Sequence, residues 1–346
     1  PVHEKHFRSS QRGSSPVRPT RPRSSDCRAI RCGGAAHTGQ MASIEFDPEL
    51  RRSARLLPKQ FITPRTLPFL RLASRLMRRP EPNGPDAPEV LTLPSGVGVR
   101  LHRPAGPTGR GPALLWIHGG GYLIGDAAQD DVLCRRFARQ LGATVASVNY
   151  RLAPEHPYPA PLEDCYSALN WLGRLPAVDP DRIAIGGASA GGGLAAALAL
   201  LARDRHEIGL AAQLLVYPML DDRTAGRSDL DHPGYRLWNQ SSNTFGWRAY
   251  LGDADPDVAV PARRQDLGGL PPAWIGVGTL DLFHDEDLAY AERLRTAGVP
   301  CEVMVVKGAF HGFDGVAPKA AVSQSFFAAQ CALLKEAFEP STGEDG

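Results

Sequence analysis

The stretch Arg182-Ile183-Ala184-Ile185-Gly186-Gly187-Ala188-Ser189-Ala190-Gly191-Gly192-Gly193-Leu194 decides how this chain is read. The apolar run Arg182–Gly186 reads as a strand, and the Ala/Leu-rich segment Ala190–Arg203 as a helix buried in a core. Between them, Gly187-Ala188-Ser189-Ala190-Gly191 fits G-x-S-x-G. A serine on so tight a strand-to-helix turn is pushed out at the strand's C-terminal end. Small residues two before and two after it are required, because the strained turn brings backbone segments together. Chance gives roughly 0.2 matches to the bare pattern in a chain of this composition, so the context carries the inference.

Working outward, the same grammar repeats. Glu89–Leu93 and Val97–Arg103 read as a hairpin around Pro94-Ser95-Gly96. Strands are predicted at Ala113–Ile117, Thr144–Asn149, Gln213–Tyr217, Trp274–Val277 and Glu302–Val306. Helices are predicted at Asp126–Leu141, Pro161–Arg174, Asp285–Ala297 and Ala321–Phe338. Strands alternating with helices predict an α/β fold, a mostly parallel sheet with helices on both faces. Upstream, Asp47-Pro48 marks an N-cap leading into Glu49–Gln60, and Leu67–Arg79 forms a second helix. A Pro-rich linker, Pro80–Pro88, separates these from the sheet. A long irregular insertion is expected from Leu220 to about Gly269.

A serine nucleophile needs a base, and the base needs an orienting acid. His311 follows the strand Glu302–Val306 and Asp281 follows Trp274–Val277, so Ser189, Asp281 and His311 can meet at one edge of the sheet. Asp285 is the rival acid, but it opens a helix, where capping is its ordinary role. His118-Gly119-Gly120-Gly121 follows the strand Ala113–Ile117. Its backbone N–H groups, joined by that of Ala190, can stabilise the oxyanion of a tetrahedral intermediate. The phosphate-loop alternative lacks its G-x-x-x-x-G-K-[ST] pattern. Asp253-Ala254-Asp255-Pro256-Asp257 opens like a calcium loop, but Val258 and Arg264 stand where Gly and Glu are needed.

Composition bounds the rest. The chain has 346 residues, with 42% hydrophobic and 22% charged side chains, ordinary globular values. Its 39 basic and 37 acidic residues nearly balance, which argues against a dedicated nucleic-acid binder. Residues 1–40 hold eight Lys/Arg and two Asp/Glu and have almost no apolar run. They read as a disordered basic extension, either sequence upstream of a natural start at Met41 or a transit peptide. No signal-peptide h-region and no membrane-spanning run is visible. The six cysteines show neither C-x-x-C nor zinc spacing, as free thiols in a reducing compartment would. A cytoplasmic location is expected.

The chain resembles the hormonesensitive-lipase-like α/β-hydrolases, the bacterial family IV carboxylesterases, from about residue 85 to 335. The resemblance rests on five motifs in order. They are His118-Gly-Gly-Gly121, Tyr150-Arg-Leu-Ala-Pro-Glu155 with Tyr158-Pro-Ala160, Gly187-Ala-Ser-Ala-Gly-Gly192, Asp281-Leu-Phe-His-Asp-Glu286 and His311-Gly-Phe313. Within that group it is most similar to members of the bacterial heroin esterase type. The resemblance implies an eight-stranded α/β-hydrolase core, residues 81–346, under a helical cap built from residues 41–80 and an insertion at about 220–255. It implies a Ser189–His311–Asp281 triad, oxyanion donors at Gly120, Gly121 and Ala190, no metal or organic cofactor, and a small-molecule ester substrate. Members often pair through helix or strand contacts, so a homodimer is among the expectations. Two positions depart from the family pattern. Ala188 stands where an acidic residue is frequent, and Leu282 where Pro is common. Relatives that are plant hormone receptors have lost the catalytic His, which this chain keeps as His311.

The expected activity is hydrolysis of short-chain carboxylic esters through an acyl-enzyme, with a rate rising through a histidine titration, which for an unperturbed imidazole lies at about pH 6.5. Tyr235, Trp238, Phe245, Trp247 and Tyr250 of the insertion could wall a small pocket or pack the cap onto the core. An amidase or arylformamidase would use the same residues, and a catalytically silent ligand-binding protein would need disabled geometry despite them.

Overall fold

The structure is a computed structural model that describes residues 45–60, 62–76, 84, 87–104 and 109–339. The extension expected at residues 1–40 lies outside the described residues. Two helices come first, α1 (Arg51–Leu56) and α2 (Leu67–Leu76). They are followed by β1 (Glu89–Thr92), β2 (Gly98–His102), β3 (Gly111–Ile117), α3 (Asp131–Leu141) and β4 (Thr144–Asn149). Next are α4 (Ala160–Gly173), β5 (Val178–Ala188), α5 (Ala190–Arg205) and β6 (Ala212–Val216). The chain continues through α6 (Gln240–Leu251), α7 (Pro256–Ala259), β7 (Ala273–Leu280) and α8 (His284–Thr296). It closes with β8 (Cys301–Phe310), α9 (Phe313–Val316) and α10 (Ala321–Phe338).

The eight strands form one sheet in the order β1-β2-β4-β3-β5-β6-β7-β8. Only the β1/β2 and β2/β4 pairings are antiparallel; β3 to β8 run parallel. Because side chains alternate along a strand, the sheet sorts its apolar residues into two layers. Leu114, Trp116, Leu214, Val216 and Trp274 pack with Phe137 of α3 and Phe326 and Leu334 of α10. Leu115, Ile117, Ile183, Ile185, Leu215 and Ile275 pack on the other face with α4, α5 and α8. The expected α/β-hydrolase architecture is observed. Parallel strands all point their C-terminal ends one way, so the segments after β3, β5, β7 and β8 share one edge.

Several boundaries differ from the sequence reading, each for a local reason. The first helix is confined to Arg51–Leu56 rather than Glu49–Gln60. Asp47 accepts the Glu49 N–H in a turn instead of capping, and Leu57, the residue before Pro58, is extended at ψ 138. The second helix is described only to Leu76. The segment 126–141 begins as a 3₁₀ turn, Ala127–Asp130, capped by Asp126 accepting from Ala128 N–H. The insertion is not irregular throughout, since it contains α6, capped by Asn239 accepting from Ser242 N–H. Strand β8 runs four residues beyond Val306, to Phe310, so His311 immediately follows it.

Candidate active site

Strand β5 runs straight into α5, and Ser189 sits between them at φ 57, ψ −122. That left-handed conformation is costly for a residue with a Cβ, and the turn holds it by close packing. A methyl group on Gly191 would lie 2.1 Å from the Ile117 carbonyl oxygen, and one on Gly187 would lie 2.3 Å from that of Gly191. Neither glycine has room to be anything else. The Ser189 N–H donates to Val216 O at 2.9 Å, and its carbonyl accepts from Met219 N–H, which ties the turn to the end of β6.

The structure brings Ser189, His311 and Asp281 together. His311 Nε2 lies 2.9 Å from Ser189 Oγ, and His311 Nδ1 lies 2.8 Å from Asp281 Oδ2. A carboxylate can only accept, so Nδ1 carries the proton and Nε2 presents its lone pair to the Ser189 hydroxyl. Asp281 is buried, and its other oxygen accepts from Phe283 N–H at 3.0 Å. The imidazole is held edge-on by Tyr217 and Phe283, with ring centroids 4.9 and 5.3 Å away. The Tyr217 hydroxyl donates to Asp314 Oδ1 at 2.8 Å, and burial raises the carboxyl of Asp314 above its ordinary range. Asp285 is elsewhere. It is exposed on α8 and pairs with His284 and Arg227.

Gly120 and Gly121 lie on the loop after β3, both at positive φ. Their N–H groups donate to no backbone carbonyl among the described residues. The N–H of Ala190 belongs to the first turn of α5, where helix geometry leaves donors free. The indole of Trp238 closes over Gly121, and a methyl group there would lie 2.1 Å from the ring. Beneath the loop, His118 is fully buried and stacks on Tyr150 at 4.2 Å. Its Nδ1 lies 2.8 Å from Gly119 O, and burial lowers its pKa to about 4. It is therefore neutral near pH 7 and supports the loop. Among the described residues, no group of His, Cys, Asp and Glu is arranged to hold a metal.

A family profile described as alpha/beta hydrolase fold matches residues 114–315. The chain is 37% identical over 263 residues to esterase LipI of Mycobacterium tuberculosis, covering 71% of this chain and 82% of that one. The solved structure of bacterial heroin esterase superposes with a TM-score of 0.75 at 37% identity, covering 85% of this chain and 98% of that one. Esterase LipW from Mycobacterium marinum gives a TM-score of 0.76 at 38% identity, covering 85% and 96%. The chain belongs to the α/β-hydrolase family, in its hormone-sensitive-lipase-like carboxylesterase group.

In this hydrolase the motif Tyr150–Glu155 props up the loop after β3. The Tyr150 hydroxyl donates to His118 O at 2.9 Å, and Ala153 N–H donates to Tyr122 O. Arg151 grips Asp164 of α4, while Glu155 pairs with Arg71 of α2. The departure at Leu282 leaves the turn intact, since Leu282 is buried and Asp281 N–H still donates to Gly278 O. Ala188 packs its methyl group against the apolar layer on the α3 and α10 side, so the position before Ser189 offers no carboxylate. Sequence reasoning names Trp238 as a candidate pocket wall but misses Tyr217 and Phe283 as neighbours of the His311 imidazole, because those contacts are long-range. Of the five insertion aromatics, Trp238, Trp247 and Tyr250 are buried, and Tyr250 stacks on Tyr122 at 4.0 Å. These three pack; Tyr235 and Phe245 are half-buried.

Proposed function

We propose that this protein is a serine carboxylesterase acting on short-chain esters. One observation carries the reading: Ser189 Oγ faces His311 Nε2 at 2.9 Å while Asp281 accepts from the opposite ring nitrogen at 2.8 Å. In this mechanism His311 takes the proton as Ser189 Oγ attacks the ester carbonyl. Asp281 fixes the tautomer and stabilises the imidazolium that forms. The developing oxyanion is received by the N–H groups of Gly120, Gly121 and Ala190, each worth about 2.7–4 kcal/mol in the transition state. His311 then protonates the leaving alcohol, and water attacks the acyl-enzyme by the same route in reverse.

The preference for short acyl groups is supported by Trp238, whose ring fills the space over Gly121. We assign residues 41–80 and 220–255 to a cap over the 81–346 catalytic unit. Four contacts support it: Arg236 Nε to Ala54 O, Leu237 N to Pro58 O, Gln60 Nε2 to Ser241 Oγ, and Ser242 Oγ to Ile62 O. Among the described residues no helix is long and apolar enough to cross a membrane. The four described cysteines are free, which suits a cytoplasmic protein. A homodimer fits the open edge of β8, where Val305 is exposed.

The test is hydrolysis of p-nitrophenyl acetate, butyrate, octanoate and palmitate by the protein and by Ser189→Ala. The expected result is turnover falling from the short to the long esters, and a loss of about 10⁴-fold or more in the variant. Equal inertness of both proteins on every ester would overturn the esterase reading. A palmitate rate above the butyrate rate would overturn the chain-length assignment.

A further inference from the structure

Helix α2 wears its apolar residues on the outside. Leu67, Leu70 and Arg71 turn inward, and Arg71 is fastened by Leu123 O, Ala153 O and Glu155. Phe69, Leu72 and Leu76 form the outward stripe, 73%, 54% and 77% exposed. Leu56, the last residue of α1, is 87% exposed. A surface helix ordinarily points its polar side chains at water and its apolar stripe at the core. Here Leu67 and Leu70 meet the core, and a second apolar stripe faces water.

The charge of the segment that carries this stripe is one-sided. Residues 50–80 contain nine Lys/Arg and no Asp/Glu. Arg51, Arg52, Arg55, Lys59 and Arg65 are exposed, and none of them is in an ion pair among the described residues. The chain from 41 to 49 and from 81 onward carries 22 basic against 35 acidic side chains. A strongly basic segment bearing an exposed apolar stripe therefore stands against an acidic remainder.

We propose that α1 and α2 form a docking surface for an anionic phospholipid bilayer. Phe69, Leu72 and Leu76 enter the headgroup and acyl boundary, and the exposed cations of the same segment, Arg51, Arg52, Arg55, Lys59 and Arg65, meet lipid phosphates. The acidic remainder is repelled by the same surface, which fixes the orientation. Charge selects this occupant over others. A second copy on a two-fold axis would set this basic segment against itself. Residues 1–40 carry eight basic and two acidic side chains, so they are repelled as well. Nucleic acid would use the arginines but leave the three apolar side chains in water. Docking also has a use. Arg71 links α2 to the carbonyl of Leu123, two residues past Gly121, so the loop beside Ser189 would lie on the side facing the lipid–water interface, where apolar esters collect.

The test is flotation of the full chain with vesicles of phosphatidylcholine alone or of phosphatidylcholine with phosphatidylglycerol, at low and high salt. Binding to the anionic vesicles is expected to exceed binding to neutral ones by about tenfold or more, and to fall steeply with salt. The triple variant Phe69→Ser/Leu72→Ser/Leu76→Ser is expected to lose about tenfold in vesicle affinity. Arg51→Glu/Arg52→Glu/Arg55→Glu is expected to lose the anionic preference. Both should keep wild-type circular dichroism and turnover of p-nitrophenyl acetate. Flotation that is absent, equal on neutral vesicles, or undiminished in the triple variant would overturn the proposal. So would a wild-type dimer that the triple variant splits, since the face would then be covered by a second copy.

Discussion

At the scale of single residues, the site depends on which ring nitrogen of His311 holds the proton. The carboxylate of Asp281 decides it, because Oδ2 can only accept from Nδ1. Replacement by Asn keeps the shape but offers an amide donor, which stabilises the wrong tautomer and points an N–H at Ser189 Oγ. Asp281→Asn is therefore expected to fold normally and to lose about 10⁴-fold in kcat on p-nitrophenyl butyrate, with little change in KM. Steady-state kinetics check this. Near-wild-type turnover would mean that another acid orients the imidazole. Asp285 is poorly placed to do so, since its carboxylate is exposed and engaged by His284 and Arg227.

At the scale of elements, the sheet was legible because its central strands are continuous apolar runs bounded by Gly and Pro, and Thr144–Asn149 and Ala321–Phe338 match their sequence readings residue for residue. Ser189, Asp281 and His311 were legible because each ends a strand of a parallel sheet. Helix α6 was not. Its inward residues include Ser242, Asn243 and Gly246, which break the apolar period. They face inward because Ser242 donates to Ile62 O, Asn243 accepts from the Trp238 indole, and Gly246 abuts Gly121 O. No local pattern encodes partners as distant in sequence as Ile62 and Gly121. This packing makes Gly121 and Trp238 a coupled pair. In Gly121→Ala the new methyl group collides with the indole, so the donor loop must shift and kcat/KM should fall by about 10²–10³-fold. Adding Trp238→Ala removes the collision, leaving only the positive-φ cost of roughly 1–2 kcal/mol. The double variant should thus be more active than Gly121→Ala alone. A double variant no faster than the single would show that backbone strain, rather than the ring, sets the loss.

At the scale of the whole molecule, two buried titratable groups bend stability with pH in opposite directions. Burial lowers His118 from 6.5 to about 4, so the unfolded chain binds the extra proton between those values and stability falls as the solution is acidified through them. Burial raises Glu286 from 4.5 to about 8, so the folded protein holds the extra proton and stability is lost as pH rises toward 8. The two slopes oppose each other from about 4.5 to 6.5, and Glu286 acts without that opposition above 6.5. Glu286 Oε1 accepts from Leu220 N–H at 2.8 Å and Asp221 N–H at 3.1 Å, next to Met219, whose N–H holds the Ser189 carbonyl. A glutamine keeps that carbonyl acceptor and removes the ionisation. Glu286→Gln should leave stability at pH 5 near that of the wild type and raise it at pH 8 by about 2–4 kcal/mol, read from urea unfolding at both pH values. Parallel stability profiles for the two proteins would show that Glu286 does not ionise across this range. Because the loop it holds is preserved, the variant should also retain turnover of p-nitrophenyl acetate, which separates the stability effect from damage to the Ser189 turn.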